Sequence, residues 1–189
     1  MIDLGGLLPG ERLGVTGATG AVGSLVLQLG LAHGARSAVG WVRSPERARL
    51  LPGGVDAAVP GEEVEPVDLL VDTIGGPLLA ERLGSVAPGG RVVLVGYTAG
   101  KEACFSLPRL MAADVSLLPL NMMRRRLPRG MESKLVTDVA EGRLRVEVET
   151  VSPEDVAAAI ARLERGAASG RVVLDWRADR EARGAARAL

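Results

Sequence analysis

The sequence predicts an α/β protein built on a parallel sheet buried between helices. Short apolar runs alternate with amphipathic segments along the chain, as in repeated strand–helix–strand units. With two Trp, one Tyr and one Phe, the core must come from Val, Leu, Ile and Ala, which suits strands covered on both faces. A glycine-rich turn follows the first apolar run and opens the first amphipathic helix. At 189 residues and 47% hydrophobic content, a single domain with a short appendage is expected.

The first strand is expected over Arg12 to Thr16. After Gly17-Ala18-Thr19-Gly20, the helical spacing of Val22, Leu25, Val26 and Leu29 marks a helix, with Gly34 as its C′ glycine. Ser37 to Val42 reads as strand two, and Ser44-Pro45-Glu46 as an N-cap with proline at N1. Val55 to Val59 is a short third strand, and Val67 to Val71 a buried one ending in Asp72. A helix begins near Pro77, and Gly89-Gly90 turns the chain into a strand over Arg91 to Val95. Val115 to Leu120 is the next strand, and Ser133 to Ala140 is helical. The pattern divides the chain into a main domain, 1–145, and a strand–helix–strand segment, 146–176. In that segment the strands are Val146 to Val151 and Arg171 to Trp176, and Ser152-Pro153 opens the helix. An Ala- and Arg-rich tail, 177–189, is expected to be a frayed helix.

Gly17-Ala18-Thr19-Gly20-Ala21-Val22-Gly23, framed from Ala18, is a variant of G-x-G-x-x-G with alanine first. The chemistry needs small residues there. The chain must turn sharply out of the strand, the backbone must approach a pyrophosphate, and helix must pack closely on strand. The helix N-terminus then directs its N–H groups at the phosphates. The motif follows a strand and opens a helix, so a doubly wound sheet of the Rossmann type is the predicted fold. An NAD site places an acidic residue about 20 residues further on, against the ribose 2′-hydroxyl. Here Arg43 and Ser44 stand there, with Arg47 a turn later. Arginine forks and a hydroxyl suit a 2′-phosphate, so NADP(H) is the expected cofactor. Glu46 is expected to point away from the Arg43–Arg47 face on its helix. The alternative is that these arginines are an ordinary solvated face.

Other classes are disfavoured. Lys plus Arg and Asp plus Glu both number 23, so neither nucleic acid nor an anionic membrane is the expected partner. The lone Cys104 excludes an intrachain disulfide, and with the lone His33 it excludes a Cys/His zinc site. No apolar stretch has the length of a membrane span, and Met1 to Gly10 lacks a signal-peptide pattern. A cytoplasmic location is the expectation.

Several motifs together resemble the medium-chain dehydrogenase/reductase superfamily, in its zinc-independent quinone oxidoreductase and enoyl reductase branch. They are Pro9-Gly10-Glu11-Arg12, the stretch from Thr16 to Gly23, and Val67 to Gly76. Ala87 to Gly96 and Gly170-Arg171-Val172-Val173-Leu174 complete the set, which covers about residues 9 to 176. The resemblance implies that residues 17 to 23 hold the pyrophosphate, and Arg43, Ser44 and Arg47 the 2′-phosphate. It implies that Asp72, Thr73, Ile74 and Gly75, with Gly96, Tyr97 and Thr98, line the nicotinamide and its ribose. Such enzymes normally carry a substrate-binding domain ahead of the cofactor domain. This sequence is expected to represent the cofactor domain alone, without metal. The family often pairs through the strand after the fifth, which implies a homodimer through Val115 to Leu120.

Tyr97-Thr98-Ala99-Gly100-Lys101 fits the Tyr-x-x-x-Lys of short-chain dehydrogenases, where lysine lowers the tyrosine pKa and the phenol protonates a carbonyl. Those enzymes carry the pair on a long helix, whereas this one lies in a loop. Tyr97 is still the first candidate proton donor, with Lys101 beside it, because it follows a strand at the ligand-binding end of the sheet. Asn121 offers an amide to nicotinamide or substrate, or else is a turn residue. Cys104 is expected to be a buried small hydrophobe, Met122 and Met123 packing residues, and His33 a carbonyl cap. Arg124 to Arg126 and Arg129 read as a solvated face.

The leading expectation is an NADPH-dependent oxidoreductase acting on a small carbonyl or enone-like substrate. The alternatives are a non-catalytic NADP(H)-binding module, as a sensor or complex subunit, and a chain of the short-chain type.

Overall fold

The computed structural model describes residues 1–126 and 128–176; the tail expected to be helical lies outside them. The chain divides into two compact units, Met1–Arg145 and Val146–Leu189. The first unit holds a six-stranded sheet. Its strands are β1 (Arg12–Val15), β2 (Ser37–Trp41), β3 (Val55–Ala58), β4 (Val67–Asp72), β5 (Val86–Leu94) and β6 (Ser116–Pro119). They run in the order β3-β2-β1-β4-β5-β6, and every neighbouring pair is parallel. The order reverses direction between β1 and β4. A crevice opens at such a point above the carboxyl ends of the strands, where sheets of this kind bind ligands.

Side chains alternate across the sheet, and each face has its own core. Leu13, Val15, Leu69, Val71 and Val93 lie on one face with Val26 and Leu27 of α2 (Ala21–Ala32). Ile2 and Leu4 of α1 (Ile2–Gly5) pack against the same cluster. Val39, Trp41, Leu70 and Val92 face the other way, under Leu79 of α3 (Gly76–Arg82). Burying each Leu or Val stabilises the fold by about 1.5–3 kcal/mol, so this two-sided sheet dominates stability. The predicted doubly wound, Rossmann-type sheet is the fold observed.

Three local features escaped the sequence pattern. The four-residue α1 is too short for periodicity to show. Arg91 holds it in place: its Nε donates to the Gly5 carbonyl at 2.9 Å and Nη2 to that of Gly6 at 2.9 Å. The same guanidinium grips Glu11 through two bonds of 2.7 Å. A second short helix, α4 (Leu107–Ala112), precedes β6. Finally, Gly89-Gly90 does not turn the chain into a separate strand. β5 already starts at Val86, and its pairing with β4 slips between Val67 and Leu69, so the glycines form a bulge inside one strand.

Downstream in this unit, α5 (Met131–Ala140) is followed by Arg145, whose backbone exchanges bonds of 2.8 and 2.9 Å with the Gln28 side chain of α2. The second unit carries β7 (Val148–Val151), α6 (Val156–Glu164) and β8 (Arg171–Leu174). β7 and β8 pair in parallel. Ser152 Oγ accepts from the Glu154 N–H at 3.2 Å and so caps the turn entering α6, and Arg162 pairs with Glu149.

Candidate functional site

The glycine-rich loop leaves β1 at the reversal point. Gly17 has φ +62°, the left-handed region where a side chain is strained, and its carbonyl accepts from the Gly20 N–H at 2.9 Å. The sharp turn therefore sits at Gly17, one residue before the Ala18 that the motif frame puts first. Ala18 is wholly buried. Gly23, in the first turn of α2, lies so close to the loop that an added Cβ would stand 2.3 Å from the Gly17 carbonyl oxygen. Gly20 is the N-cap of α2. The early N–H groups of this helix, those of Ala21, Val22 and Gly23, have no carbonyl within the helix to bond and carry its positive dipole end.

A buried hydrogen-bond cluster joins this loop to the end of β4. Thr16 Oγ1 donates to Asp72 Oδ1 at 2.6 Å and accepts from the Thr73 N–H at 3.0 Å. Thr73 Oγ1 donates to the Thr16 carbonyl at 2.7 Å. Asp72 Oδ2 accepts from the Gly75 N–H at 2.8 Å. Burial pushes the Asp72 carboxyl above its usual range, against the pull of bonds from Thr16, Gly75 and Ile74. With both oxygens held and no surface exposed, Asp72 does not line the crevice as the resemblance implied. It fixes the loop that does. Thr16 is the residue sequence reasoning missed; its signal was a hydroxyl directly between a buried strand and the glycine turn.

The loops after β4 and β5 are joined backbone to backbone. The Ala99 N–H donates to the Ile74 carbonyl at 2.7 Å, and the Val95 N–H to that of Asp72 at 2.8 Å. Gly75 and Gly100 form an isolated bridge. Thr73, Ile74, Gly75, Gly96, Tyr97 and Thr98 are thus brought together at one end of the sheet. Tyr97 is 69% exposed, and Lys101 is exposed in the same loop.

At the end of β2, Arg43 is exposed and Arg47 half-buried. Residues Pro45–Leu50 form a 3-10 helix. Arg47 Nη2 donates to Thr19 Oγ1 in the glycine loop at 2.9 Å. Burial first, and then the nearby Arg43 charge, lower the Arg47 pKa. Glu46 is exposed. Its carboxylate is bonded to the Ser44 hydroxyl and held below its usual pKa by that bond, because the tighter turn brings residues 44 and 46 together.

Against this geometry, the family model described as zinc-binding dehydrogenase matches residues 53–174, more than half of the chain. The chain belongs to the zinc-binding dehydrogenase family. Its relatives place that family within the medium-chain dehydrogenase/reductase superfamily. Acryloyl-coenzyme A reductase of Sulfurisphaera tokodaii is 35% identical over 99 residues, which cover 49% of this chain and 29% of that protein. Quinone oxidoreductase-like protein 2 of Bos taurus is 29% identical over 196 residues, covering 88% of this chain and 53% of that one. CurA of Vibrio vulnificus, solved in complex with NADPH, superposes with a TM-score of 0.76 at 20% identity, over 92% of this chain and 59% of its own. That likeness is one of fold. The chain spans between about a third and three fifths of the length of these three proteins. Despite the family's description, no group of three or more His, Cys, Asp or Glu among the described residues could hold a metal ion. No helix among them is long and apolar enough to cross a membrane.

The remaining candidates of this dehydrogenase-family chain fall outside the crevice cluster or take other roles. Asn121 Oδ1 accepts from the Met123 N–H at 3.0 Å, which is the turn role. Cys104 is exposed, not the buried hydrophobe expected, because the segment before α4 runs along the surface. Met122 and Met123 are 72% and 95% exposed, not packed, since they lie in the turn after the edge strand β6. Arg124, Arg125 and Arg126, and likewise Arg129, are exposed. His33 is exposed at the end of α2, where its backbone N–H closes the helix on the Leu29 carbonyl at 2.9 Å.

Proposed function

We propose that the first unit binds NADP(H) and serves an oxidoreductase of the quinone and enoyl reductase type, acting on a small carbonyl or enone-like substrate. The observation that carries the reading is the hydrogen bond from Arg47 to Thr19. It joins the arginine pair at the end of β2 to the loop that would hold the pyrophosphate. The residues fit that cofactor. Gly17 and Gly23 leave backbone within reach of phosphate oxygens, and the start of α2 faces them with a positive dipole. Arg43 and Arg47 answer the 2′-phosphate with two charges. When bound, the nicotinamide would supply a hydride. The chain's own part is to hold the ring between the loops 73–76 and 96–100 and to deliver a proton. Tyr97, exposed beside that cluster, is the donor we propose, with Lys101 in support.

The same reading has the chain pair with a second copy through β6, which bonds to a strand on one side only among the described residues. A cytoplasmic location accords with the free, exposed thiol of Cys104. Sedimentation tests the pairing. Calorimetric titration with NADPH and then NADH tests the cofactor, followed by NADPH oxidation with enones, quinones and aldehydes. Binding with turnover that fails in Tyr97→Phe supports the whole proposal. Binding without turnover on any substrate leaves a non-catalytic module, and no binding of either cofactor refutes the reading.

A further inference from the structure

We infer that Thr19 is a positioning residue for cofactor selectivity, acting through Arg47 and not through the pyrophosphate it adjoins. The inference rests on the NADP(H) reading above and assigns the discrimination within it. Arg43 and Arg47 differ in their surroundings. Arg43 is exposed, so a phosphate must compete with water for it. Arg47 is half-buried, its charge disfavoured by desolvation and by its neighbour. A dianionic 2′-phosphate would offset both penalties by direct charge pairing. The guanidinium is also aimed in advance, because Thr19 Oγ1 accepts from its Nη2 at 2.9 Å. A fork held before binding loses less freedom when the phosphate arrives.

The bond crosses from the segment after β2 to the loop after β1, 28 residues apart in sequence. One threonine hydroxyl therefore registers the adenosine end of the site against its phosphate end. An ordinary loop residue would influence every dinucleotide alike. A residue working through Arg47 should matter only to the cofactor that carries the extra phosphate.

The test measures dissociation constants for NADPH and NADH by cofactor fluorescence in the full chain and four variants. Thr19→Val, which keeps the shape and removes the hydroxyl, should lower the preference for NADPH over NADH about three- to tenfold, the worth of one hydrogen bond. Thr19→Ser should restore the wild-type ratio. Arg47→Ala should weaken NADPH about tenfold or more, and adding Thr19→Val to it should change nothing further. Equal loss of both cofactors in Thr19→Val, failure of serine to rescue, or additive effects in the double variant would overturn the inference while leaving the NADP(H) reading intact. If the wild-type chain binds neither cofactor, the reading falls and takes the inference with it.

Discussion

Replacing Gly23 with alanine tests the close approach on which the proposed phosphate cradle depends. Alanine suits a helix better than glycine by about 1 kcal/mol, so propensity alone predicts a gain. The structure predicts a loss. The new Cβ would stand 2.3 Å from the Gly17 oxygen, 2.8 Å from its carbonyl carbon and 2.9 Å from Ala18 Cα. Ordinary contact begins near 3.4 Å, so loop and helix must part by about 1 Å in a close-packed region. All three obstructing atoms are backbone, and no side chain can rotate aside. Overpacking of this kind costs about 1–3 kcal/mol, and the upper part of that range applies against rigid backbone. The net expectation is a loss of about 1–2 kcal/mol, or roughly 2–8 °C in Tm for a chain of this size. NADPH binding should weaken as well, because the N–H groups of α2 retreat from the phosphates. Gly53→Ala is the control, since nothing lies within 4 Å of its added Cβ. Thermal unfolding and NADPH titration of both variants decide the matter. A Gly23→Ala protein as stable as Gly53→Ala and equally able to bind would refute the argument.

Other perturbations probe the supports of the site. Thr16→Val removes the buried donor to Asp72 and the acceptor for the part-buried Thr73 N–H; urea unfolding should show a loss of about 2–3 kcal/mol. The grip of Arg91 holds the Glu11 carboxyl below its ordinary 4.5. Its stabilising effect is full above that value and is lost as pH falls through the lower folded value. Glu11→Gln should therefore cost about 2 kcal/mol at pH 7 and flatten the acid limb of the stability profile. An unchanged acid limb would show that Glu11 is not the group responsible. Glu46→Gln removes a carboxylate from beside the proposed 2′-phosphate site, so NADPH binding should tighten while NADH binding stays constant. Titration with both cofactors reads this directly.

What was legible in the sequence was whatever repeats with a period or demands a residue type. β1, β4 and α2 announced themselves through apolar runs and helical spacing, and the doubly wound parallel sheet followed from their alternation. The glycine loop was legible because backbone crowding leaves few residues able to occupy it, as Gly17 and Gly23 demonstrate. Features held by a single distant side chain were not. α1 owes its place to Arg91, which lies 86 residues from the Gly5 carbonyl it binds, and no local pattern encodes that. Exposure of Cys104, Met122 and Met123 was misjudged for a related reason. Hydrophobicity predicts burial only when an element turns the residue inward, and these three lie outside any helix or strand.

The least legible feature is also the one that unifies the site. Asp72 was placed in the crevice by analogy, yet its carboxylate is spent on Thr16, Ile74 and Gly75. A buried carboxylate surrounded by donors is costly to form and costlier to disturb, because removing one donor leaves charge uncompensated in a low dielectric. That makes it a stiff joint between β1 and β4, at the place where the sheet reverses and the crevice opens. The Arg47 bond to Thr19 ties β1 to β2 in the same way on the other side. The glycine loop is thus held at both ends by side-chain hydrogen bonds, and its backbone is left to face a ligand.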